Sequence, residues 1–351
     1  MIGVYVHIPY CLRKCRYCDF VSVPIDETAG RYRSAVETEI ALSAQKYPGE
    51  RVKSVFFGGG TPTALQPEDL VAILDAIRKA FPIEPDAEIS FECNPKTIGY
   101  DGLLRLSKAG FNRVSMGLQT TQNDLLRRIG RVHTFEEFLS TYRAARDAGF
   151  QNINVDLMHG LPGQSQADYL EAIRTVAALA PTHISAYSLI LEEGTPLYDD
   201  VISGRETLPD PDAVADMEDA GMDLLEQLGF RRYEVSNFAK PGYECRHNLI
   251  YWHNEPYLGL GVAAHSSMME DRLWVRFSND ASISAYYKKL EKGKLPRAEQ
   301  IIINTFEQMF ESVMLGLRLV KGVDRAAFSA RFGCDVIETY REAYDKNDKY
   351  G

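Results

Sequence analysis

Tyr5-Val6-His7-Ile8-Pro9-Tyr10-Cys11-Leu12-Arg13-Lys14-Cys15-Arg16-Tyr17-Cys18-Asp19-Phe20 carries a short apolar run straight into three closely spaced cysteines. Residues 4–8 read as a strand, and the cysteines follow its end. The chain has 6 cysteines, and half of them sit in this one stretch. A secreted disulfide framework spreads its cysteines, so the clustering points to a metal site in a reducing compartment. The spacing is C-x3-C-x2-C with no fourth cysteine nearby. Zinc asks for four ligands, usually in C-x2-C pairs. Three thiolates fit a [4Fe–4S] cluster that leaves one iron open. The plain alternative is three buried thiols on an ordinary loop. Cys93, Cys245 and Cys334 each stand alone, and a lone cysteine usually packs as a small hydrophobe.

Outward from this stretch, strand and helix patterns alternate. Strands are expected at 4–8, 54–57, 88–92, 113–118, 152–158 and 183–189. Helices are expected at 31–47, 70–81, 100–109, 135–148 and 166–178. Pro67 suits a helix start, and Gly110 and Gly149 suit helix ends. Such alternation predicts an α/β fold of parallel strands joined by right-handed crossovers. Six βα units fall before about residue 230, where a full barrel has eight. The expectation is an incomplete, TIM-like (β/α)6 barrel. Its unusual residues lie where strands end, which places a site at the C-terminal face. Beyond residue 230 the alternation fails. A further strand is expected within 232–238, and helices at 301–319 and 324–332. The predicted organisation is a barrel over 1–235, a connecting segment over 236–297, and a small, mostly helical, incomplete C-terminal domain over 298–351.

Hydrophobic residues make up 45% of the 351 and charged residues 25%, an ordinary balance for a globular enzyme. The formal charge of −10 argues against general nucleic-acid binding. No run of about 18 apolar residues is present, so no membrane span is expected. No signal peptide is visible, which predicts a cytoplasmic protein.

Several motifs share one pattern: Tyr-x-His-Ile-Pro before the cysteines, Gly58-Gly59-Gly60-Thr61-Pro62, Ser115-Met116-Gly117-Leu118-Gln119, the run from Asp156 to Gly163, and His247-Asn248-Leu249-Ile250-Tyr251-Trp252. With the cysteine loop, they resemble the radical S-adenosylmethionine (SAM) superfamily. Within it they resemble the HemN/HemW branch, and more its haem-chaperone side. The resemblance runs nearly the whole chain. It implies a radical SAM barrel with a HemN-type C-terminal domain. It also implies a [4Fe–4S] cluster on Cys11, Cys15 and Cys18. In this superfamily SAM chelates the open iron, and an electron from the cluster cleaves it to methionine and a 5′-deoxyadenosyl radical.

Further site residues follow from the resemblance. Gly58–Gly60 is expected to let backbone approach the methionyl end of SAM, with Gly59, Gly60 and Thr61 as cofactor-binding residues. Glu92 suits its amino group, Arg131 its carboxylate, and Gln119 and Asp156 its ribose hydroxyls. Tyr5 and Tyr17 are expected to flank cluster and adenine, and Ser188 and His265 fall at SAM-contact positions. His7 and His159 are expected beside the same face. Coproporphyrinogen III dehydrogenases of the branch carry a further cysteine where this chain has Phe20, and a segment before the first strand. Both departures favour haem carriage over that enzyme activity, which stays as the alternative. Three cysteines still suffice for SAM cleavage. His247 is then the candidate haem ligand, with Cys245 and His253 as rivals, and Tyr251 and Trp252 are candidates to stack on the porphyrin. Implied partners are haem as cargo, acceptor haemoproteins and an electron donor such as flavodoxin or ferredoxin. The expected assembly is a monomer or homodimer.

Overall fold

β1 (Ile2–Ile8) has Ile2, Val4, Val6 and Ile8 fully buried. A strand covered on both faces belongs in the middle of a parallel sheet. In this computed structural model, which describes residues 1–26 and 29–348, β1 pairs in parallel with β2 (Val52–Gly59). β3 (Ile83–Cys93), β4 (Arg113–Gln119), β5 (Asn152–His159) and β6 (His183–Ser188) follow, each parallel to the one before. Helices α1 (Ala29–Lys46), α2 (Pro67–Ala80), α3 (Tyr100–Lys108), α4 (Phe135–Asp147), α5 (Gln166–Ala178) and α6 (Pro211–Gln227) come after the six strands in turn. Local signals set several of their starts. Pro67 opens α2, and Thr134 with Glu137 and Ser165 with Asp168 close capping boxes on α4 and α5.

β7 (Arg231–Arg232) and β8 (Asn237–Ala239) add an antiparallel ribbon to the edge of β6. At the other edge β9 (Tyr257–Leu260) pairs in parallel with β1, and β10 (His265–Glu270), β11 (Leu273–Asn279) and β12 (Arg297–Ile303) continue antiparallel. Among the described residues this is one twelve-stranded sheet, ordered β12-β11-β10-β9-β1-β2-β3-β4-β5-β6-β8-β7. Side chains from β2 through β6 and from β8 line a single cavity, so the sheet is curled into a partial barrel. The α/β class and the six parallel strands are those expected. α6 and β9 are elements the sequence reading passes over. The helix expected over 301–319 begins later, at Thr305–Gly316, because Ile301-Ile302-Ile303 extends β12 and Asn304 forms a capping box with Glu307. Helices Arg325–Phe332, Val336–Thr339 and Arg341–Asn347 complete the C-terminal part. Among the described residues no helix is long and apolar enough to cross a membrane.

The added strands are locked to the barrel through Glu39 of α1. Its buried carboxylate accepts from the Gly261 backbone N–H at 2.8 Å, Asn279 Nδ2 at 2.6 Å and the Tyr286 hydroxyl at 2.6 Å. Burial nevertheless pushes its carboxyl up to about 7 from an ordinary 4.5. The folded state therefore binds more protons here than the unfolded chain does. This contribution to stability is full below about pH 4.5 and is lost as pH rises through about 7. Urea midpoints measured from pH 4 to 8 test this. Glu39→Gln is expected to lose that part of the pH slope, and an unchanged slope would place the proton elsewhere.

Candidate functional site

The cysteine loop leaves β1 and is pinned from several directions. Gly60 N–H donates to Ile8 O and Thr61 N–H to Tyr10 O, both at 2.8 Å. Arg16 N–H donates to Ile129 O at 3.1 Å, and Arg13 and Arg16 side chains donate to the carbonyls of Gly130 and Arg128. His7 Nε2 lies 2.8 Å from Val21 O, and a carbonyl only accepts, so this nitrogen carries the proton. Nδ1 then accepts from the Tyr5 hydroxyl at 3.1 Å. The two ends of the loop are thus drawn back onto β1. Gly59 and Gly60 permit this. A Cβ on Gly59 (φ +109°) would fall 2.6 Å from the His7 ring, and one on Gly60 would fall 2.7 Å from Tyr10 O and 3.1 Å from Cys11 Sγ.

Cys11, Cys15 and Cys18 open together into a cavity of about 420 Å³. Gly59, Gly60, Thr61, Glu92, Gln119, Arg131, Asp156 and Tyr17 line the same cavity, so eight of the expected cofactor residues converge with the thiols. Arg131 Nη1 sits 3.5 Å from Cys15 Sγ, and its Nη2 donates to Asn94 Oδ1 and to Gly117 O. Asn94 in turn donates to Thr61 Oγ1 at 2.7 Å. Gln119 ends β4 at φ +78°, where the register with β5 slips between Gly117 and Gln119. This bulge turns its amide inward, where Oε1 accepts from the Tyr187 hydroxyl at 3.1 Å. Glu92 accepts from Gly59 N–H at 3.1 Å. Burial, with Asp156 nearby, pushes the Glu92 carboxyl up to about 8. Asp156 is also raised by burial, against hydrogen bonds from Asn154 and Ser185. Arg113 and Arg131 line the same cavity and offset part of the rise at Asp156, whereas Asp156 adds to the rise at Glu92, so a ligand's amino group is favoured beside Glu92.

A second cavity of about 620 Å³ adjoins the first and shares Tyr17, Cys18, Phe20 and Tyr187 with it. Tyr5, His7, Ser188, Tyr251 and His265 face this one. His159 lines neither cavity and instead packs on Tyr169, with ring centroids 5.2 Å apart. His247 and Trp252 also line neither. His247 is buried, its Nδ1 2.7 Å from Ser54 Oγ and its Nε2 2.8 Å from the Tyr251 hydroxyl. Burial pushes its imidazole down to about 3, so it is neutral. Its backbone N–H and that of Arg246 donate to Glu88, which fastens the start of helix Arg246–Trp252 to the barrel interior. Trp252 lies under Arg318, 5.6 Å from the ring centroid. Of the rival ligands, Cys245 is buried and lines the first cavity, and His253 caps that helix. Asn94 and Tyr187 are site residues that the sequence reading missed. Both follow the ends of expected strands or lie in them, as the recognised residues do.

The donor set can be tested against the expected cofactors. Among the described residues no three His, Cys, Asp or Glu converge closely enough to hold a single metal ion. A cluster spreads its ligands over several irons, and the thiols open into one cavity as that requires. Glu92, Asp156, Arg131 and Gln119 supply acceptors and donors that match amino, hydroxyl and carboxylate groups. The residues fit a [4Fe–4S] cluster with SAM.

Residues 5–176 match the Radical SAM superfamily and residues 306–347 the HemN C-terminal domain. Fold, loop and match together define a radical SAM protein, a class whose cofactors are a [4Fe–4S] cluster and SAM. The chain is 38% identical over 339 residues to Heme chaperone HemW of Bacillus subtilis (strain 168), covering 95% of this chain and 87% of that one. It is 35% identical over 345 residues to Heme chaperone HemW of Escherichia coli (strain K12), covering 96% and 88%. The chain therefore belongs to the HemW family. The solved structure of coproporphyrinogen III oxidase (HemN) from Escherichia coli, described as a radical SAM enzyme, superposes with a TM-score of 0.83 at 25% identity, over 97% of this chain and 81% of that one.

Gly60→Ala tests the seat of the cofactors. The variant is expected to fold, by far-UV circular dichroism, yet to take up less cluster on anaerobic reconstitution, read as lower brown absorbance. Full uptake would mean that the loop relaxes around the added Cβ.

Proposed function

We propose that this chain is a haem chaperone, a radical SAM protein that binds haem and passes it to acceptor haemoproteins. The observation that carries this reading is the likeness to HemW proteins along nearly the whole chain, at 38% and 35% identity, against 25% for HemN. Phe20 supports it. The side chain is 65% exposed at the rim of the larger cavity, an apolar surface beside the cluster loop.

In this reading Cys11, Cys15 and Cys18 hold the cluster. When bound, the cluster supplies an electron and an open iron for SAM. Glu92 accepts from the amino group of SAM, Arg131 meets its carboxylate, and Gln119 and Asp156 meet its ribose. Gly59, Gly60 and Thr61 give its methionyl end close backbone approach. Tyr17 lines both cavities, Tyr5, Ser188 and His265 line the larger one, and Tyr251 is the residue of the His247–Trp252 stretch that reaches it too. The barrel spans 1–235, the connecting segment 236–297 and the HemN-type domain 298–351. An electron donor of the flavodoxin or ferredoxin type, a cytoplasmic location and a monomeric or homodimeric state complete the proposal.

Reconstituted protein incubated anaerobically with dithionite, SAM and either haem or coproporphyrinogen III tests the reading. Stoichiometric haem binding without porphyrin conversion is expected. Decarboxylated porphyrin with 5′-deoxyadenosine would make the chain an enzyme of haem synthesis instead. Replacing Cys11, Cys15 and Cys18 together by Ala is expected to abolish the cluster absorbance, and surviving colour would refute these ligands.

A further inference from the structure

Tyr5, Tyr17, Ser188 and His265 of the 620 Å³ cavity are assigned to SAM, but the rest of its wall and mouth is not. Its volume lies in the range of organic ligand sites, about 300–1,000 Å³. Its wall is largely aromatic. Tyr251 and Tyr257 stand edge to face with ring centroids 4.6 Å apart, and Tyr5 and Tyr187 face the same space. Its mouth is apolar and open to water: Phe20 is 65% exposed, Val21 40% and Ile190 68%. Contiguous exposed apolar side chains around a hollow mark a surface that a ligand covers. A flat, largely apolar ring system fits such a slot. Asp19 and Glu192, exposed at the same mouth, repel carboxylates, so the charged edge of such a ligand turns away from these two residues into water.

The seven histidines sort by what their rings already do. His7, His183 and His247 have both ring nitrogens engaged by neighbours. His133, His159 and His253 line neither cavity. His265 faces the large cavity from the first position of β10, and its side chain is exposed. It is the histidine of this cavity whose ring is not committed to the fold.

We propose that haem occupies the 620 Å³ cavity beside the cluster site, against Tyr251, Tyr257 and Phe20, with His265 as the protein ligand to its iron. The proposal rests on the haem-chaperone reading, moves the ligand from His247 to His265, and takes His265 out of the set of SAM contacts. His247 then acts at one remove as a positioning residue, holding the Tyr251 hydroxyl and so the aromatic wall. An imidazole nitrogen donates a lone pair to iron, and no redox change is needed.

The test is an anaerobic titration of the cluster-loaded full chain with ferric haem, followed by the Soret band and by electron paramagnetic resonance. The parent protein is expected to show an imidazole-ligated haem. His265→Ala is expected to lose that signature and to bind at least about tenfold more weakly, with added imidazole restoring the spectrum. Ile190→Glu is expected to weaken binding while keeping the imidazole signature, which separates wall from ligand. Circular dichroism and the cluster absorbance confirm folding of each variant. If His265→Ala keeps the parent's spectrum and affinity while His247→Ala loses them, the proposal is overturned and the chaperone reading stands. If the parent protein binds no haem at all, it is the chaperone reading that fails.

Discussion

Everything at the site depends on how closely two backbones approach where β1 and β2 end. Gly60 N–H reaches Ile8 O, Thr61 N–H reaches Tyr10 O, and the His7 ring occupies the space that a side chain on Gly59 would fill. That contact fixes the direction in which the chain leaves β1, and so where Cys11, Cys15 and Cys18 open. The other anchors, Ile129 on Arg16 and Val21 on His7, restrain a loop whose origin is already set. A rigid strand end is the means by which parallel α/β folds hold chemistry in place, because strand positions are over-determined by pairing on both sides.

The interior charges show the same economy. Glu92, near the end of β3, and Asp156, within β5, are half-buried in the cavity wall, and both carboxyls are raised. Arg131, the guanidinium nearest the thiols, spends its Nη2 on Asn94 and Gly117 and turns Nη1 toward Cys15. The cavity thus sets Glu92 and Asp156 beside Arg113 and Arg131, with both guanidinium groups acting on Asp156. A ligand's amino group placed against Glu92 offsets the repulsion that Asp156 exerts there.

Most of the barrel was legible because its signals are local. Apolar runs gave the six strands, and Pro67, Gly110 and Gly149 marked helix limits that the structure keeps to within a residue or a few. The thiols, the glycine run and the residues at strand ends were legible for a related reason: polar or special residues stand out against apolar strands. What stayed hidden was set by tertiary contact. β9 is four residues long and is a strand because β1 lies beside it. The boundary at Ile303 turns on a capping box that competes with an otherwise helical apolar spacing. His247 looked like an open ligand in sequence, since nothing there says that Ser54 and Tyr251 claim both of its nitrogens. Asn94 acquires its role only through Arg131 and Thr61, which lie in the segments that follow β4 and β2.

The pairing of β9 with β1 also bears on how the molecule is assembled in time. Its register joins Gly3 to Tyr257 and Val6 to Leu260, so one edge of the first strand waits for a partner made much later. Closing so long a loop is entropically costly, and such contacts form late in folding. Chains fold as they are synthesised, the N-terminal parts first. The cysteine loop, β2 and the Gly60 contact can thus be in place while the wall carrying Tyr257 and His265 is still absent. For a nascent chain this leaves a period in which the thiols are already gathered and the barrel is open at its side.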